Sequence, residues 1–159
     1  MTADGKAPEL IRLVGAAGSG RTSVAIRRAT DLLATDERRL LVIDSLGHGA
    51  SDALQASVIA DRTVFKTETS APLVLAISRH LIASAGIGCV IIDDLPGLDF
   101  GAGGDSLSRG KAIAIFAQSV AGIAVAFGTS VILVDRASEF SARPPLGFRD
   151  LVVSRLLAA

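Results

Sequence analysis

The chain has no tryptophan, no tyrosine and a single cysteine in 159 residues, and its 16 lysines and arginines are matched by 16 aspartates and glutamates. A lone cysteine, Cys89, can form neither an internal disulfide nor a cysteine metal cluster. Its place in the apolar run CVII predicts a buried small hydrophobe in a reducing, cytoplasmic compartment. The balanced charge sets up no molecule-wide field towards nucleic acid or a membrane surface, so any such role must rest on a local patch. The opening MTADGKAPE has no apolar centre and is not a secretory signal. Residues 1–9 read as a flexible tail and residues 10–159 as one domain, in line with about 100–200 residues per domain.

Apolar residues, by contrast, make up half of the chain. Residues 112–134 include no charge over 23 positions, a length that would cross a bilayer. Their pattern points elsewhere. Ile113, Phe116, Val120, Ile123 and Phe127 form one helical stripe, and Ala114, Ala117, Gln118 and Ala121 fall largely off it, as in a helix laid on a sheet. Gly128-Thr129-Ser130 then breaks the period and VILV reads as a buried strand, so no membrane span is expected.

The rest of the sequence alternates in the same way. Strands are predicted at 11–14, 40–44, 63–65, 89–93 and 131–135, with helices near 20–35, 50–60, 71–86 and 107–127. Strands that are apolar throughout are covered on both faces, and helical crossovers make them parallel. The expected fold class is α/β: a three-layer α/β/α sandwich with a mainly parallel sheet. Ligands of such sheets bind at the carboxyl ends of strands, so the loops after residues 14, 44, 93 and 135 are where chemistry is sought.

The first of these loops carries the most specific motif. GAAGSGRT at 15–22 fits G-x-x-x-x-G-K-[ST], after a strand and before a helix, except that Arg21 stands at the lysine position. Gly15, Gly18, Ser19, Gly20, Arg21, Thr22 and Ser23 are the candidate nucleotide-binding residues. Their backbone N–H groups and the helix N-terminus would cradle phosphates whatever residue occupies position 21. Thr22 would offer its hydroxyl to Mg²⁺, and Asp93, which ends the apolar strand CVIID, is the matching acidic ligand. Asp94 either orients water or caps the following loop. Guanidinium is larger than ammonium and planar, so Arg21 binds phosphate without reproducing the geometry of a lysine.

From residue 11 to about residue 157 the order of these parts resembles the ATPase core of the RecA recombinases, a family of P-loop NTPases. The carrying stretches are GAAGSGRT, LLVIDS, SAGIGCVIIDDLPGL, VILVDR and LGFRDLVVSRL, the last similar to the segment leading into the family's next strand. The resemblance implies ATP and Mg²⁺ as cofactors. It also implies a glutamate after the second strand, where this chain has Leu46 in IDSLGHGA; His48, two residues on, is the only nearby candidate base. A γ-phosphate-sensing amide pair is implied after the strand at 131–135, where Asp135-Arg136 stands instead. The chain stops where the family's sheet continues. General-base help is typically worth about 10² to 10⁴-fold, and a lost phosphate clamp costs a comparable factor. The expectation is a pseudo-ATPase or a weak ATPase.

In the family, the loops after the acidic strand and after the last core strand line the DNA path. The corresponding loops here carry Arg109 and Lys111, set against Asp99 and Asp105, and Arg136, Arg143 and Arg149, set against Glu139. Phe140 and Phe148 are available to stack on bases. Those five basic residues are the candidate contacts to single-stranded DNA or to a partner. The apolar end LVVSRLLAA is either a contact surface or a strand packed on its own sheet. The leading expectation is an accessory protein of DNA repair, such as SOS damage response, acting through a protein partner. The alternatives are an active DNA-stimulated ATPase and a P-loop small-molecule kinase.

Overall fold

The computed structural model describes residues 6–16, 20–45, 50–101, 105–136 and 144–153. Six strands form one sheet: β1 (Leu10–Gly15), β2 (Arg39–Asp44), β3 (Thr63–Thr67), β4 (Ile87–Asp93), β5 (Ser130–Arg136) and β6 (Arg149–Val152). Their order across the sheet is β3-β2-β4-β5-β1-β6, and every pairing is parallel. The helices are α1 (Arg21–Leu32), α2 (Ala50–Gln55), α3 (Ala71–Ser84) and α4 (Ser106–Ala126).

The strands are apolar without alternation because both of their faces are buried. On one face Ile11, Leu13, Leu40, Val42, Cys89, Ile91, Ile132 and Val134 meet Val24, Ala25, Ile26 and Ala29 of α1 and Leu54 of α2. On the other, Leu41, Ile43, Val90, Ile92, Val131 and Leu133 meet Val74 and Ile82 of α3 and Phe116, Val120 and Ala124 of α4. Each fully buried leucine or isoleucine among them contributes about 2 kcal/mol. Cys89 lies in the first of these layers, and burial pushes its thiol up to about 12. It is a packing residue, as expected.

Helix α4 is long and apolar enough to cross a membrane by length and composition, yet its apolar stripe lies on the sheet. That stripe differs from the expected one. Phe116, Ala117, Val120, Ala121 and Ala124 are the buried positions, whereas Phe127 follows the helix end and is half exposed. Small alanines bring the helix close to the strands, so they, and not the larger side chains alone, occupy the contact.

Two further differences concern the ends of the sheet. Residues 149–152 are a strand in their own right, β6, added beside β1. Its anchor is Arg12 of β1, which is 4% exposed. The Arg12 guanidinium donates to both carboxylate oxygens of Asp150, at 2.7 and 2.8 Å, and lies 3.5 Å from Asp135. Those carboxylates hold Arg12 above its ordinary value. Glu9, assigned to the tail from sequence, is tied down: its backbone N–H donates to Ser130 Oγ at 2.9 Å, and its carboxylate meets Arg28 at 2.7 Å and Arg149 at 3.4 Å. Residues 154–159, the remainder of LVVSRLLAA, lie outside the described residues.

Below the sheet, Asp36 is buried and accepts from the backbone N–H of Arg38 at 2.9 Å and from its guanidinium at 2.8 Å. The Arg38 hydrogen bonds hold the Asp36 carboxyl below the usual carboxylate range. A depressed folded-state value means that this contribution is complete at neutral pH and disappears as pH falls through the folded value. Asp36→Asn should therefore lower stability at pH 7 by about 1–2 kcal/mol and by less near pH 3, measured by urea unfolding at both values. Equal losses at the two pH values would contradict this account. Gly88 offers a second check, since a Cβ there would lie 2.7 Å from Leu33 Cδ2 and 3.1 Å from Arg38 Cβ. Gly88→Val should cost about 2 kcal/mol in the same assay through overpacking.

Candidate functional site

Strands β1, β4 and β5 end side by side, and the site is built on those ends. Gly15 closes β1 and pairs in register with Arg136, and Asp93 closes β4 opposite Val134. Gly20 then caps α1 with φ 87°, a left-handed conformation that favours glycine and lets the chain turn from the loop into the helix. No side chain caps that helix end and no acidic residue lies in its first turn. The orphan N–H groups and the positive end of the dipole are thus left for an anion.

Thr22 and Asp93 meet directly: the Thr22 hydroxyl donates to Asp93 Oδ2 at 2.6 Å. Burial raises the Asp93 carboxyl above its ordinary value, the Thr22 bond opposes this, and the neighbouring carboxylates of Asp44 and Asp94 add to it. Asp44 ends β2 beside Asp93 in the parallel register and is buried. Among the described residues no group of three or more His, Cys, Asp or Glu is arranged to hold a metal ion. A hydroxyl and one carboxylate still suit Mg²⁺, which keeps waters and substrate phosphates in its shell and takes only one or two carboxylates.

Arg21 takes a different course. One end of its guanidinium donates to the backbone carbonyl of Asp135 at 2.7 Å, and the other lies 3.8 Å from Asp94 Oδ2. A cation in the first turn of a helix faces the unfavourable end of the dipole, so acceptors on the neighbouring strands draw it off the axis. Asp94, 2% exposed, lies at the centre of the cluster. Its Oδ1 accepts from the Gly97 N–H at 2.9 Å, capping the 3-10 turn at Leu95–Gly97, and its Oδ2 is 3.8 Å from Arg136 Nε. Its backbone N–H donates to Ser45 Oγ at 3.0 Å, and the peptide joining it to Asp93 is cis. Of the two roles expected for Asp94, the cap is the one present in this structure. Burial raises the Asp135 carboxyl, and the Arg136 N–H, Arg12 and Arg21 oppose that shift.

Gly15, Gly20, Arg21, Thr22, Asp93, Asp94 and Arg136 thus converge, with Ser23 exposed on the first turn of α1. Gly18, Ser19, Leu46, His48, Phe140 and Arg143 lie outside the described residues. The expected basic face is dispersed. Arg109 donates to the Pro96 carbonyl at 3.0 Å and covers the Phe100 ring at 5.4 Å, so it holds the loop before α4. Asp105 caps α4 by accepting from the Ser108 N–H at 2.8 Å, and Lys111 is exposed one turn further on. Arg149 pairs with Glu9 at the opposite end of the sheet from the site, because β6 starts level with Ile11. Phe148 is 6% exposed, in the core, and unavailable to bases. Sequence reasoning missed Ser45, Asp44 and Arg12; the ends of LLVIDS and of β1 held the only hint of them.

Neither a protein-family model nor a curated protein matches the sequence. Among solved structures, the ATPase domain of a RecA-fold helicase is similar, with a TM-score of 0.61 and 13% sequence identity. The match covers 87% of this chain, which spans 62% of that domain's length. At that identity the likeness concerns the fold. Asp150→Ala should test how firmly the outer strand of that fold is held. It leaves buried Arg12 with only Asp135, and should cost about 2–3 kcal/mol in urea unfolding and speed amide exchange in residues 149–152. Unchanged exchange there would mean that β6 is held by other contacts. With its six parallel strands, its two helical layers and this structural neighbour, the chain has the α/β fold of a RecA-like P-loop NTPase core.

Proposed function

We propose that this chain binds a nucleoside phosphate with Mg²⁺ at the end of β1, hydrolyses it weakly or not at all, and acts through a protein partner. The observation that carries the reading is the meeting of Thr22 with Asp93 at 2.6 Å, beside a helix N-terminus entered through a left-handed Gly20. Thr22 and Asp93 would hold Mg²⁺, directly and through water. The metal would neutralise phosphate charge, and the N–H groups of residues 15–23 would orient the phosphates. Arg21, held by Asp135 and Asp94, stands where the motif has a lysine, which supports weak turnover.

Partner binding is supported by the apolar side chains of Leu73, Leu107, Ile115 and Val125, exposed on α3 and α4. An accessory role in DNA repair or damage response, in the cytoplasm, is the setting that the resemblance to recombinases implies. The second reading, a DNA-stimulated ATPase, uses the same Thr22–Asp93 pair.

The test is a titration of the full chain with Mg²⁺ and ATP, followed by a turnover assay with and without single-stranded DNA. Saturable binding is expected, with turnover far below about 1 per second and no stimulation by DNA. Steady turnover that DNA raises and Asp93→Ala abolishes would establish the ATPase reading instead, and absence of binding would overturn both.

A further inference from the structure

The end of the site that would meet a third phosphate is already occupied by the chain's own charges. In a P-loop the residue at position 21 reaches the β- and γ-phosphates. Here both ends of the Arg21 guanidinium are engaged, by the Asp135 carbonyl at 2.7 Å and by Asp94 at 3.8 Å, and its side chain is only 11% exposed. Guanidinium is a rigid planar fork, so turning it towards a phosphate withdraws it from both acceptors at once. That would leave the buried Asp94 carboxylate with less compensation.

The other cation nearby is aimed at the same carboxylate, since Arg136 Nε also lies 3.8 Å from Asp94 Oδ2. A γ-phosphate approaching this end therefore finds two arginines already facing Asp94, together with the negative charge of Asp94 itself. The α- and β-phosphates depend on other groups, the backbone N–H donors at the start of α1, which carry no side-chain commitment.

Resting on the nucleotide-binding reading above, we infer that this site is selective for the diphosphate moiety: it takes nucleoside diphosphates and triphosphates alike and gains nothing from the γ-phosphate. Arg21 is the residue that sets this selectivity. Such a site holds a nucleotide without sensing whether it has been hydrolysed.

Isothermal titration of the full chain with ADP, ATP and AMP, each with Mg²⁺, tests this directly. ADP and ATP should bind within about threefold of each other, and AMP, lacking the β-phosphate, at least about tenfold more weakly. Arg21→Lys supplies a compact ammonium that cannot span both acceptors, and should shift the ATP-to-ADP ratio towards ATP by about tenfold. The wild-type ratio decides the matter even where that variant folds poorly. A wild-type preference for ATP of tenfold or more would overturn the inference while leaving nucleotide binding intact. AMP binding as tightly as ADP would overturn it as well. An unchanged ratio in folded Arg21→Lys would remove Arg21 from the account, and no binding by any of the three would overturn both readings.

Discussion

The seating of one guanidinium across two strand ends organises the upper side of this molecule. Arg21 begins α1, yet its bonds run to Asp135 at the end of β5 and towards Asp94 beyond the end of β4. It spans strands that are neighbours in the sheet but are separated in sequence by a helix of 21 residues. That contact is favourable because the sites it fills are poor in water: a carbonyl and a carboxylate near the sheet become worth more as the surrounding dielectric falls. The same burial makes each of these groups costly to leave alone. Asp94 is consequently held from several sides, by Gly97, Ser45, Arg21 and Arg136.

A second arginine extends the arrangement. Arg12 lies inside the sheet between β5 and β6, with Asp135 on one side and Asp150 on the other. Asp135 therefore takes part in both clusters: its carbonyl receives Arg21 and its carboxylate faces Arg12. Through it, the outermost strand is linked to the candidate site. Isolated buried ion pairs stabilise little in total, because desolvation offsets attraction, but removing one partner is expensive. Their consequence is specificity: β6 pairs in the one register that brings Asp150 to Arg12.

Much of this was legible in the sequence because it depends on local pattern. Runs such as CVIID and VILVD are branched and apolar throughout, which only a sheet covered on both faces accommodates, and the loop GAAGSGRT lies between a strand and a helix as its motif demands. Thr22 and Asp93 were recognisable as a pair for the same reason, since each lies at an element boundary. What was not legible depends on long-range register. RDLV is half polar and short, and it reads as a strand only once Arg12 is known to be buried opposite Asp150. The destination of Arg21 follows from β5 lying next to β1, which no local pattern reports. Arg149 and Phe148 looked like members of a basic, aromatic loop; the parallel register of β6 sends one to the far end of the sheet and the other into the core. On α4 the larger side chains suggested a stripe that alanines 117, 121 and 124 in fact share, because close packing rewards small residues at a helix-sheet contact.

The central claim is that Arg21 belongs to the protein's own framework and not to the phosphates. A crystal structure of the chain with Mg²⁺ and a non-hydrolysable ATP analogue addresses it most directly. The account predicts that the guanidinium stays within hydrogen-bonding distance of the Asp135 carbonyl while the backbone at the start of α1 receives the α- and β-phosphates. A guanidinium withdrawn from Asp135 and bonded to the γ-phosphate would contradict it.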